Sequence, residues 1–284
     1  MRRNAAISLA VLFLGLPAAR AGETAAPVPP PHPRGLSAPA ALHASYQTYA
    51  AGLHVADVQA GFSLGPWSYQ MELAYHTTGL VGFFYRGHQF NTVDGGWLER
   101  KPVPHEFFGE GAWRGQERIA RIDYAHGLPL IRQLVPPNLG EREAVPPALQ
   151  AHSIDTLSAL ADLMRTVADT GRCETSVQTF DGRRATRIVA HTMGDEHLAP
   201  TGRSSFSGQA LRCDFSGRML AGFLLGHDDP EDRRPLHGSA WFAQVLPSEP
   251  MVPVRMAFET RWFGDATMYL TGVAPGGRIL TAPP

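Results

Sequence analysis

Gly61-Phe62-Ser63-Leu64-Gly65 has the G-x-S-x-G spacing of a hydrolase nucleophile elbow. Such an elbow works because the serine sits on a sharp turn between a strand and a helix. Here Pro66 and an alternating run from Trp67 follow, so the pentapeptide reads as the end of one strand and the turn into the next. Twelve histidines are spread from His32 to His237 without an H-E-x-x-H or H-x-H arrangement. The densest clusters, Asp195-Glu196-His197 and His227-Asp228-Asp229, read as solvated segments between strands, because a metal would need several separated ligands to converge. Glu72, Glu99, Glu106, Glu110 and Asp123 would serve acid–base chemistry only if the fold set two of them at a working separation. There is no phosphate loop, dinucleotide fingerprint or kinase signature. The expectation is therefore no catalytic residue, no metal and no cofactor, leaning away from an enzyme.

Cys173 and Cys213 are the only cysteines, and what they do depends on the compartment. Arg2-Arg3, the apolar run Ala5–Pro17 and Ala19-Arg20-Ala21 have the layout of a secretory signal peptide, so residues 1–21 are expected to be removed and the protein exported to a bacterial periplasm. In an oxidising compartment an even pair reads as a disulfide, here closing a loop of about 41 residues. A metal site is the rival reading, but no His stands at short ligand spacing from either Cys. A redox pair would more often be Cys-x-x-Cys. Losing Arg2, Arg3 and Arg20 with the leader takes the formal net charge from −1 to −4, which argues against nucleic acid as a partner. Arg183-Arg184 with Arg187, and Arg233-Arg234, are small basic groups that read as solvated turns, with anionic headgroups or polysaccharide as the functional alternative.

The elements that must position these residues are mostly strands. Of 284 residues, 29 are Gly and 24 Pro, a density that excludes a helix bundle and fits many short elements joined by turns. Residues 22–40 are Pro-rich and read as a disordered linker, and 277–284 as a tail, leaving 41–276 as one antiparallel β domain. Tyr69, Met71, Leu73 and Tyr75 share one face against Gln70, Glu72 and His76 on the other, and Leu211, Cys213 and Phe215 repeat that period of two. About eleven or twelve strands are expected, with Asp181-Gly182 as the clearest hairpin turn. One segment departs from this. Asp155 can cap a helix, Leu157, Leu160, Ala161, Met164 and Val167 form a stripe at helical spacing, and Gly171 can end it, so a helix is expected over about 155–170. Its stripe must be covered, and the hollow of a curved sheet is the apolar surface available.

The order of short motifs resembles a known family. Tyr46-x-x-Tyr49-x-x-Gly52-Leu53-x-Val55-Ala56, Tyr69-x-Met71, Thr78-Gly79-Leu80, Asp155-x-Leu157-Ser158-Ala159-Leu160, Phe180-Asp181-Gly182-Arg183-Arg184, Ser207-Gly208-x-Ala210-x-x-Cys213 and Ala221-Gly222-Phe223 are similar to the domain of unknown function 3108 family of exported bacterial proteins. Trp241 and Pro253-Val254-Arg255 extend the resemblance to nearly all of the mature chain. Ala185-Thr186 and Phe206 depart from the aromatic and the Tyr common at those places. The resemblance implies one exported domain related in architecture to the periplasmic lipoprotein carriers, an incomplete, strongly curved antiparallel barrel closed by helices. It implies no catalytic residue.

Together these readings give a strongly curved antiparallel sheet or incomplete β-barrel with one amphipathic helix packed in or over its concave face. The expected role is carriage of an apolar or amphipathic ligand, a lipid or acyl chain. Leu157, Leu160 and Met164 of the helix and Tyr69, Met71 and Phe84 of the sheet are the candidate contacts. The alternatives are a hydrolase of envelope lipid or glycan, which needs a polar cleft, and an envelope assembly protein working through a strand edge.

Overall fold

The alternation between Leu42 and Val135 folds, in the computed structural model, as seven consecutive antiparallel strands. The structure describes residues 42–276 except 80–81, 83–85, 114, 227–228, 248 and 261–263. The leader read at 1–21, the linker at 22–40, the tail at 277–284 and the candidate contact Phe84 lie outside the described residues. The first meander comprises β1 (Leu42–Ala50), β2 (Leu53–Leu64), β3 (Ser68–Thr77), β4 (Gly87–Leu98), β5 (Lys101–Trp113), β6 (Gln116–Ala125) and β7 (Leu128–Val135). A second comprises β8 (Thr175–Phe180), β9 (Ala185–Leu198), β10 (Gly208–Ala221), β11 (Leu236–Ala243), β12 (Val252–Thr260) and β13 (Gly264–Pro275).

β13 pairs with β1, which fuses the two meanders into one 13-stranded sheet ordered β7-β6-β5-β4-β3-β2-β1-β13-β12-β11-β10-β9-β8. The sheet curls into a nearly closed barrel whose seam lies between β7 and β8, the strands joined in sequence by residues 136–174. Across that seam Gly182, in the β8–β9 turn, comes against Leu134 of β7. Thirteen strands exceed the eleven or twelve expected, and prolines inside strands are part of the reason such runs are hard to count. Pro102 and Pro104 of β5 pair with β4 but lie beyond the end of the β5–β6 ladder, which starts at Glu106, so no bond is lost on that side. Pro253 of β12 likewise precedes the β12–β13 ladder, which starts at Arg255.

The helix forms over Thr156–Thr170, here α1. Asp155 caps it by accepting from the Ser158 amide, and Gly171 ends it in the left-handed region at φ 66°. α1 packs against β3, β4, β5 and β8. Met164 and Val167 are almost fully buried there. Polar contacts hold it down. The Ser158 hydroxyl is 2.7 Å from the Tyr69 hydroxyl, Thr175 donates to Asp162 at 2.5 Å, and the Arg165 guanidinium lies over the Trp97 ring at 4.5 Å.

Before β8 the backbone passes through Cys173, which is disulfide-bonded to Cys213 of β10. The bridge ties the exit of the helix to the sheet, and both cysteines are fully buried. No helix among the described residues is long and apolar enough to cross a membrane.

Candidate functional site

Strand register stacks the inward-facing side chains of β2 to β6 in rows. The row Phe62, Met71, Val93, Phe107 and Ile122 is buried and belongs to the main core. The next inward row is Ala60, Leu73, Asn91, Gly109 and Ala120, and the one after it is Val58, Tyr75, Gln89, Gly111 and Arg118. Small side chains at Ala60 and Ala120 leave the barrel interior unfilled at this level. The result is a cavity of about 460 Å³.

Its walls are mostly apolar. From the second meander Ile188, Phe215, Phe242, Met256 and Met268 line it, and from α1 Leu157, Leu160 and Leu163 do so. A volume in this range is typical of small-molecule sites, about 300–1,000 Å³. Gln89 and Asn91 are the polar interruption on β4. They bond to each other, Gln89 Nε2 donating to Asn91 Oδ1 at 3.0 Å, over the space left by Gly109 and Gly111.

The residues singled out from sequence separate into two groups. Leu157 and Leu160 line the cavity. Met164, Tyr69 and Met71 do not. Met164 is expected to face the hollow but is fully buried in the core, and Met71 belongs to the same packed layer. Tyr69 is 1 % exposed, turned toward α1 and Trp97, with its ring centroid 4.8 Å from that of Trp97. Helical periodicity identified the stripe, but the stripe is wider than the cavity, so only part of it is wall.

The catalytic candidates do not converge. Ser63 is in β2 opposite Gln70 of β3, followed by a strand rather than a helix, so the elbow geometry is not built. Because Leu73, Phe107 and Gly109 point inward, alternation turns Glu72, Glu106 and Glu110 to the outer face. Asp123 is likewise opposite in phase to the buried Ile122 and pairs there with Arg132. Asp195, Glu196 and His197 lie within β9 rather than in a loop, and His227 and Asp228 fall outside the described residues. Glu196 instead accepts from the Trp241 indole at 2.9 Å.

The basic pair Arg183-Arg184 is the clearest correction to the sequence reading. Expected as a solvated turn, the two residues are 4 % and 6 % exposed and line the cavity. Asp181 organises the turn, accepting from the Arg183 and Arg184 amides at 2.9 and 2.7 Å and from the Arg184 guanidinium. Burial opposes ionisation of Asp181, but the Arg184 charge and these bonds outweigh it and hold the carboxyl below its usual range. The irregular segment after β7 then crosses over the turn. Glu141 lies 3.4 Å from Arg118 and 3.6 Å from Arg183, and Arg142 donates to the Gly222 carbonyl at 2.8 Å. Gly222 makes the close approach possible: a Cβ there would meet the Arg183 carbonyl oxygen at 2.2 Å. Sequence reasoning missed Arg118, Glu141 and Arg142, because their neighbours come from 23 to 80 residues away along the chain.

No protein-family model matches the chain and no curated protein matches it. In fold it is similar to the crystal structure of a β-barrel-like protein of domain of unknown function DUF1849 from Brucella abortus, with a TM-score of 0.53 and 12 % identity over 85 % of this chain and 99 % of that chain. At that identity the similarity is one of architecture, and it describes a barrel-like domain of unknown function.

Proposed function

We propose that the protein binds an apolar or amphipathic small molecule, a lipid or acyl chain, inside the curved sheet, and that it does so outside the cytoplasm. The observation that carries this is the cavity of about 460 Å³ with largely apolar walls. Side chains elsewhere in a protein interior pack at crystal density, so an apolar hollow of this size left unfilled by the sheet is a place that a ligand would fill. The small side chains at Ala60 and Ala120 on its wall help keep it open. Transfer of ligand surface from water at about 25 cal/mol per Å² would supply the affinity, less the cost of ordering the ligand. The buried disulfide and the leader-like N-terminus support an oxidising, exported location. Kinship to the domain of unknown function 3108 family, read from motif order, belongs to the same proposal.

The test is saturable uptake of N-phenyl-1-naphthylamine, a neutral apolar fluorophore, by the purified protein. Ala60→Phe places a ring in the void and should abolish uptake while leaving the circular dichroism spectrum unchanged. Absence of saturable uptake by the wild type, or full uptake by a folded Ala60→Phe variant, would overturn the reading.

A further inference from the structure

The cavity wall is charged on its seam side. Arg118, Arg142, Arg183 and Arg184 gather there around two carboxylates, Asp181 and Glu141, while Glu143 accepts from the Gly222 amide. Arg118, Arg183 and Arg184 line the cavity itself, as do Asp181 and, from the Val58–Arg118 row, Tyr75. Within this group Arg183 Nη2 donates to the Pro136 carbonyl, while Nη1 is buried and makes no hydrogen bond, Glu141 standing 3.6 Å from it. Burying a guanidinium is costly unless it is paired and hydrogen-bonded, so the unbonded Nη1 of Arg183 beside a cavity calls for an acceptor. Arginine also presents parallel donors that match a carboxylate or phosphate.

We propose, on the basis of the ligand-site reading above, that the Arg183 cluster is the headgroup subsite for an anionic amphiphile. The apolar walls and α1 take the chain, and Arg183, flanked by Arg118 and Arg184, takes a carboxylate or phosphate head. Burial first, and then the neighbouring arginines, lower the proton affinity of Arg142, to about 10, and of Arg183. Arg184 also reaches into the cavity electrostatically, favouring ionisation of Tyr75 against a larger effect of burial. Glu141 occupies the position of an internal competitor for the ligand's head, bound to Arg118 and Arg183 at once.

The experiment is calorimetric titration with three ligands of equal chain length, dodecanoate, dodecyl phosphate and 1-dodecanol. At least one anion should bind ten times more tightly than dodecanol or better. Arg183→Gln should weaken the anions at least tenfold and leave dodecanol unchanged. Glu141→Gln removes the competing carboxylate and should tighten anion binding, an opposite direction that a general loss of structure would not produce. If Arg183→Gln does not fold, Glu141→Gln and the wild-type comparison of heads still decide. Dodecanoate alone showing the preference would assign a carboxylate head, and dodecyl phosphate alone a phosphate head. Equal binding of all three would overturn the headgroup subsite while leaving the apolar cavity site standing. Binding of none would overturn both.

Discussion

The hydroxyls of Tyr69 and Ser158 meet at 2.7 Å with both side chains buried, joining β3 to the first turn of α1. Ser158 has a single proton and donates it to Asp155 at 2.5 Å, so Tyr69 is the donor to Ser158. The three groups form a chain in which each member satisfies the next. Tyr69→Phe removes one bond and should cost about 1–1.5 kcal/mol. Ser158→Ala leaves both the Tyr69 hydroxyl and one Asp155 oxygen without this partner and should cost more, about 2–3 kcal/mol. Urea unfolding of the wild type, both single variants and the double variant gives the coupling energy, expected between about 0.5 and 3 kcal/mol. A coupling of zero would mean that this bond does not anchor the helix.

The disulfide acts on a different part of the same attachment. Cys173 follows the helix and Cys213 lies in β10, so the bridge closes a loop that contains β8, β9 and their turn. A loop of about 41 residues implies about 4 kcal/mol of chain-entropy stabilisation. Cys173→Ala with Cys213→Ala should lower the unfolding free energy by that order in guanidinium titration. Adding reductant should then affect the wild type and leave the double variant unchanged.

Much of this architecture was legible in the chain, and the illegible parts share one physical cause. Alternation at Tyr69, Met71 and Leu73 depends only on neighbours two residues away, and the Asp155 cap and Gly171 terminus are equally local. Asp181-Gly182 marked its hairpin for the same reason. The burial of Arg183 and Arg184 is invisible in the sequence because a basic pair after Asp-Gly is locally indistinguishable from a solvated turn. It is buried by Pro136, Glu141 and Gly222, which the fold brings from elsewhere. The split between Leu160 and Met164 is similar: helical spacing places both on one stripe, but the depth at which α1 sits in the sheet decides which of them is wall.

That split gives paired substitutions with opposite signatures. Met164 is fully buried in the packed layer, so Met164→Ala should cost about 2–5 kcal/mol of stability. Its effect on uptake of an apolar fluorophore should be small while the protein remains folded. Leu160 is only partly buried and borders the cavity. Leu160→Ala enlarges an existing space, so its effect on stability should be the smaller of the two and its effect on probe affinity the larger. Thermal melts and fluorescence titrations of both variants separate these outcomes, and a reversed order would put Met164 rather than Leu160 on the cavity wall.

Asp155 makes the helix attachment sensitive to pH. Its side chain is 1 % exposed, and burial raises its pKa above the ordinary carboxylate value despite the opposing bonds from Ser158. The folded protein therefore holds this proton more tightly than the unfolded chain does. Its contribution is complete below the unfolded pKa of about 3.9, and it is lost as pH rises through the higher folded value. Asp155→Asn keeps an oxygen acceptor for the Ser158 amide but does not titrate. The difference in unfolding free energy, wild type minus variant, should therefore decline with increasing pH by up to about 1.4 kcal/mol per pH unit between the two pKa values and then level off. Denaturant titrations of both proteins from about pH 3 to about pH 8 measure that difference, with every other titrating group common to the pair. A difference that stayed flat would mean Asp155 has the same proton affinity in both states, and one that rose with pH would mean its ionised form is the one the fold prefers.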